Sequence, residues 1–186
     1  VFILGCTFGN TAARLTGYAA RQGKGNMLVV SGNNAAGQAG QQAIVSAAAR
    51  TGANIAGVVT YEQSQQGVIG AISDIKGQVA ASGASSIFMT ATTAGALPLL
   101  TQLLPEAGVK PEETQYIGLT RWDIPAQTLA LPGVQGGWFA LPDPVKSQGF
   151  KSRYAAAYGS SPHPIGGLAY DGIAAIGALV GQGKSD

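Results

Sequence analysis

The stretch GNNAAGQAG at residues 32–40 follows an apolar run and opens a helical one, where a phosphate-binding loop would stand. Gly32 and Gly37 have the G-x-x-x-x-G spacing. Gln38 and Ala39, however, occupy the places where a lysine must neutralise phosphate and a hydroxyl must hold Mg²⁺, so nucleotide chemistry is excluded. GKGNML at 23–28 is no dinucleotide fingerprint either, because it lacks the third glycine and precedes a strand. His163, the lone histidine, lies between two prolines, and the chain has no G-x-S-x-G elbow. A Ser-His-Asp set using Asp143 or Asp171 stays open on sequence, with a solvated loop histidine as the alternative. No Cys, His, Asp or Glu spacing suits a metal. No catalytic residue, no metal and no cofactor are expected.

Binding chemistry remains. Polar residues follow the predicted strands: Asn33 and Asn34, then Thr90, Thr92 and Thr93, then Thr120, Arg121, Trp122 and Asp123. In open parallel sheets, ligands bind outside the carboxyl ends of the strands. Asn33, Asn34, Thr92 and Thr93 are equally suited to turns and helix caps. Arg121-Trp122-Asp123 sets a rigid fork of donors beside an indole, which suits an anion or a partner. Its alternative is a local Arg–Asp pair with Trp122 packed on the surface.

The elements that must position these residues alternate short β runs with amphipathic stretches, the pattern of an α/β, doubly wound parallel sheet. Strands are expected at 1–5, 26–31, 54–61, 85–89 and 115–119, and helices at about 10–22, 38–51, 67–82 and 94–107. Asn10 or Thr11 should cap the first helix and Gly52 should end the second. Ile69, Ile72, Ile75 and Val79 have helical spacing, and Pro98 must fall in a first turn. After residue 120 the rhythm breaks, and GGWFALPDP at 136–144 stands as an isolated strand. Two helices, about 145–158 and 165–181, follow with no further strand. They cannot bury their apolar faces alone, which implies a sheet supplied by sequence upstream.

Among 186 residues, 11 basic and 9 acidic side chains leave a net charge of +2, and the basic residues are scattered. The electrostatic footprint of a nucleic-acid binder is therefore missing. No apolar run approaches the ~18 residues of a membrane span. Cys6, the only cysteine, cannot form an internal disulfide and reads as a buried thiol on a strand. Ile3-Leu4-Gly5 before it matches the end of a lipoprotein box by accident, since no hydrophobic signal precedes them. The opening VFILG, without an initiating Met, reads as a fragment entered in mid-strand.

Taken in order, VFILG…YAARQG, LVVSGNNAAGQAG, EAGVKPEETQYIGL, GGWFALPDP and the series Phe150, Tyr154, Tyr158-Gly159 and LAYDG ending at Gly172 span almost the whole chain. This succession resembles the type I periplasmic-binding-protein fold of the Leu/Ile/Val-binding superfamily. GLTRWDIPA…GGWFALPDP…LAYDG is most similar to bacterial penicillin-binding protein activators. The resemblance implies an interlobe crossover at 1–7, a second α/β lobe at 8–135, a return crossover at 136–144 and first-lobe helices at 145–186. It also implies hinge roles for Thr7, Gly136, Gly137 and Pro142. Asn33, Asn34, Gly37, Thr90, Thr92, Thr93, Thr120, Arg121, Trp122 and Trp138 become the cleft candidates. On strand alternation, Trp138 and Ala140 face one side and Phe139 and Leu141 the other, with one aromatic in a core and its neighbour toward the cleft or hinge.

Three positions depart from the amino-acid-binding pattern. Ala36 replaces a tyrosine before Gly37, Thr92 and Thr93 stand where an aromatic is common, and Thr120 replaces an acid that meets the ligand's ammonium. An ammonium left unpaired in a closed cleft costs a few kcal/mol. The first expectation is thus a non-catalytic periplasmic regulator of cell-wall synthesis, with a penicillin-binding protein as partner and a lipid anchor in an upstream segment. The second is the receptor of an ABC importer, with a permease partner and a small polar solute held between two lobes.

Overall fold

A computed structural model describes residues 5–183, which fall into two compact units: Thr7–Ala140, and residues 141–183 with residues 5 and 6. The expected strand at 1–5 lies almost wholly outside the described residues. The larger unit is a five-stranded, all-parallel sheet: β1 (Asn26–Gly32), β2 (Asn54–Tyr61), β3 (Ser86–Met89), β4 (Gln115–Gly118) and β5 (Trp138–Phe139), in the order β2-β1-β3-β4-β5. β1 lies between two partners, and every residue after Asn26 is buried, which explains its continuous apolar run without alternation.

Side-chain alternation divides the sheet between two cores. Met27, Val29, Phe88 and Ile117 point to one face, against α1 (Phe8–Arg21) and α2 (Ala35–Thr51). Leu28, Val30, Ile87 and Tyr116 point to the other, against α3 (Gln65–Ser82) and α4 (Leu97–Glu106). Residues 126–130 and 132–134 form 3₁₀ turns in the stretch expected to be irregular. Thr51 donates a hydrogen bond to the Thr16 hydroxyl at 2.9 Å, pinning α2 to α1.

Local chemistry sets the helix ends, and several differ from expectation. Thr7, assigned to a hinge, caps α1 through a 3.2 Å bond from the Asn10 amide, so the helix begins before Asn10. Asn34 and Ser64 cap α2 and α3 by accepting from the amides of Gly37 and Gly67, starting these helices at 35 and 65 rather than 38 and 67. Gly52 and Gly83 end them in left-handed geometry. Pro98 occupies the first turn of α4. The buried face of α3 is Val68, Ala71 and Ile75, while Ile69 is exposed. Ile75 is in the core and Ile72 and Val79 pack against it, so Ile69 alone of the isoleucine stripe points away.

The smaller unit contains α5 (Pro144–Tyr158) and α6 (Gly166–Gly181), joined through a loop bearing an exposed His163. Phe150 stacks near Tyr170 with centroids 5.0 Å apart, and Arg153 donates to the Tyr170 hydroxyl. Gly172 is the only buried residue of either helix, and Val145, Ile173, Ile176 and Val180 are exposed. Cys6 is exposed and outside any strand, contrary to the buried thiol expected, because it precedes the α1 cap instead of entering the sheet. Among the described residues, no helix is long and apolar enough to cross a membrane.

Candidate functional site

The strand order determines where a crevice can open. The crossover from β1 leads outward to β2, while β3 lies on the other side of β1, so the topological switch point falls between the carboxyl ends of β1 and β3. There the Gly32 amide donates to the Thr90 hydroxyl at 3.3 Å, tying the two strand ends together. Gly37 and Gly40 allow α2 to sit down on this point. A Cβ on Gly37 would lie 2.0 Å from the Gly32 carbonyl oxygen, and one on Gly40 would lie 2.9 Å from a Thr90 methyl carbon.

The structure brings most of the polar candidates to this edge but commits several of them internally. Asn34 is exposed, and its side-chain oxygen accepts from the Gly37 amide at 2.7 Å. Ala35 and Ala36 follow it on an exposed first turn, where a helix leaves amide donors without intrahelical acceptors. Asn33 is exposed and donates to the Glu62 carboxylate at 2.6 Å. Thr92 is exposed, and its carbonyl accepts from the amides of Gly95 and Leu97. Thr93 donates to the Ile124 carbonyl at 2.6 Å, and Thr120 to that of Ala91 at 3.1 Å, which lash the loops after β3 and β4 together.

Arg121 and Asp123 form the local pair weighed as the alternative, with Nε to Oδ1 at 2.9 Å and side chains about three-quarters buried. Trp122 corrects the expectation of an indole available to a ligand. It is wholly enclosed, because the 3₁₀ turns and Gly118 and Gly137 close over its ring. Its Nε1 has no hydrogen-bond acceptor. Trp138 is half-buried on the α1 side, edge-on to Tyr18 at 4.8 Å, while Phe139 packs toward Trp122 on the opposite face. Neither aromatic is free of a core, since β5 is a sheet strand with both faces covered.

The glycines of the hinge assignment do two different jobs. Gly136 takes φ 73°, which favours glycine, whereas Gly137 is kept small by Trp122, whose Cζ3 would lie 2.3 Å from an added Cβ. Both belong to the larger unit, as Pro142 does not.

Sequence reasoning missed Glu62, Gln63 and Tyr61 at the end of β2. The Gln63 amide lies over Gly32, at 1.9 Å from where a Cβ would stand. Burial raises the Tyr61 pKa, and its hydrogen bond with Gln63 partly offsets the effect. Ser31, buried near the end of β1, donates to the side-chain Oε1 of Gln41 on α2 at 2.9 Å. The available signal was their place at strand ends: Ser31 and Tyr61 close predicted strands, and Glu62 and Gln63 directly follow one. Among the described residues, no group of three or more potential metal ligands converges. The arrangement is a rim of amides and hydroxyls with the Glu62 carboxylate, beside a helix N-terminus, suited to hydrogen-bonding a small polar molecule.

An open parallel sheet with such a rim defines an α/β ligand-binding domain. The family model described as periplasmic binding protein matches residues 1–186, and the chain belongs to that family, with the type I fold. A Desulfitobacterium hafniense ABC transporter substrate-binding protein in complex with Leu is 20% identical with TM-score 0.71, covering 100% of this chain and 52% of that one. A branched-chain amino acid ABC transporter periplasmic ligand-binding protein from Burkholderia xenovorans is 20% identical with TM-score 0.68, covering 87% and 43%. A solute-binding protein from Rhodopseudomonas palustris in complex with 3,4-dihydroxybenzoic acid is 15% identical with TM-score 0.57, covering 96% and 50%. The chain thus spans about half the length of these solved relatives. No curated protein matches it.

Proposed function

We propose that this chain supplies the second lobe of a non-catalytic solute receptor that serves an ABC importer in the periplasm. The observation that carries the reading is the convergence of Asn33, Asn34, Thr90 and Thr92 on the β1/β3 switch point, beside the first turn of α2. The solved relatives described above support it, being transporter binding proteins by name, and they lend nothing to the cell-wall activator reading. At the end of β2 the Glu62 carboxylate is already bound by Asn33, and in the loop after β4 Asp123 is paired with Arg121. A small polar solute recognised mainly through neutral donors and acceptors fits this lobe better than a zwitterion.

The test is a melting-temperature screen of the full two-lobed protein with leucine, 3,4-dihydroxybenzoate and a panel of neutral polar solutes. A bound solute raises the melting temperature by mass action, and at 100 times its Kd it stabilises by about 2.7 kcal/mol. The expected result is a shift with a neutral or singly charged solute exceeding that with leucine. A flat response across the panel, with capture of a penicillin-binding protein instead, would reverse the assignment.

A further inference from the structure

A second concave surface lies on α4 and the turn that leads into the amino end of β4, whereas the candidate site lies at the carboxyl ends of the strands. A groove of about 870 Å³ runs along α4 between the 110–113 turn and residues 131–133. Its depth comes from close backbone packing. Gly133 presses the 3₁₀ turn onto α4, where an added Cβ would stand 1.8 Å from the Thr101 carbonyl oxygen.

Pro98, Pro105, Pro111 and Pro132 line the groove. Proline carries no N–H, so these walls present apolar rings and carbonyls but no backbone donors. Glu106, Glu112 and Glu113 also line it, against one lysine, Lys110. All three glutamates are exposed. Glu106 accepts a 3.4 Å bond from Gln102, and Glu112 bears electrostatically on the buried Tyr116 hydroxyl, helping to raise its pKa. Lys24 reaches the main-chain carbonyl of Glu113 at 3.2 Å, so even with this second lysine the carboxylates outnumber the ammonium groups. The acid-rich groove contrasts with the net charge of +2 on the chain as a whole.

Apolar rings flanked by carboxylates complement a side chain with an apolar stem and a cationic head. From Pro98 to Glu106 the helix extends about 12 Å, the reach of about four residues of extended chain. We propose that this groove docks a basic, extended segment of a partner protein. Its lysine or arginine stems lie on the prolines, and their heads meet Glu106, Glu112 and Glu113.

The full chain, titrated into a fluorescein-labelled peptide of alternating lysine and alanine, should give saturable anisotropy that weakens with added salt. Replacing Glu106, Glu112 and Glu113 together by Gln should weaken binding about tenfold, as expected for a few partly solvated ion pairs. Single Glu→Gln variants should each take a share of that loss. Asp74→Asn, at an exposed position of α3 outside the groove lining, should leave binding unchanged. Gln102→Trp keeps every carboxylate but fills the groove, and should also weaken binding. Equal affinity for wild type and the triple variant, or no effect of Gln102→Trp, would overturn the proposal. Displacement of the peptide by an equal concentration of spermidine would also overturn it, by making a small polyamine the occupant.

Discussion

The carbonyl oxygen of Gly32 lies 2.0 Å from the point where a Cβ on Gly37 would stand. The end of β1 and the start of α2 are therefore in backbone contact, and no rotamer change can relieve an added methyl. Gly37→Ala should destabilise the chain by about 1–3 kcal/mol, the usual range for an overpacked interior site. A lowered urea midpoint with an unchanged slope is the expected reading.

Asn34 both caps α2 and stands at the proposed rim, and two substitutions separate these roles. Asn34→Ala should cost about 0.5–2 kcal/mol through the lost cap, while Asn34→Gly should cost only a few tenths. If the side chain also contacts solute, Asn34→Gly should weaken solute affinity while barely moving the melting temperature of the free protein. Calorimetric titration beside thermal melting distinguishes the two effects.

Trp122 is fully enclosed, yet its Nε1 donor finds no acceptor. Trp122→Ala should cost about 3–5 kcal/mol through the cavity it opens. Trp122→Phe should cost much less, because removing an unsatisfied buried donor recovers about 1–3 kcal/mol of desolvation penalty against the lost ring volume. Denaturant titration of both variants checks the order.

Burial, reinforced by the Glu112 charge, raises the Tyr116 pKa above the ordinary tyrosine value of 10.0, and burial also raises that of Tyr61. In the unfolded chain both hydroxyls lose their protons near pH 10.0, while the folded chain keeps them. The unfolded state then binds fewer protons, so stability falls as pH rises. Urea stability should be level in these groups below pH 10.0 and decline above it. Tyr116→Phe should flatten that decline, although it also forfeits the hydrogen bond to the Val109 carbonyl.

Much of the sheet was legible because parallel strands buried on both faces are short apolar runs bounded by turn residues. Residues 26–31 were expected as a strand and form β1 over Asn26–Gly32, buried from Met27 onward. The starts of α1, α2 and α3 were placed late, since Thr7, Asn34 and Ser64 cap through side-chain bonds that apolar periodicity does not register, whereas α4, expected from 94, begins at Leu97. The burial of Trp122 was not legible because it depends on Gly118 and Gly137, which lie on different strands or loops and meet only in three dimensions. The polar rim was partly legible from its place after strands. Glu62 was not legible because its partner, Asn33, is 29 positions away and meets it only once β1 and β2 pair.

β1 and β3 are almost wholly enclosed, whereas the ends of α2 and α3 are exposed. Within the larger unit, amide hydrogen exchange should therefore grade from the sheet outward. Amides at the ends of α2 and α3 should exchange through cheap local openings, while those of β1 and β3 wait for global unfolding. A single melting temperature would then describe the buried strands of residues 7–140 and stay silent about the loosening that precedes it at the helix ends.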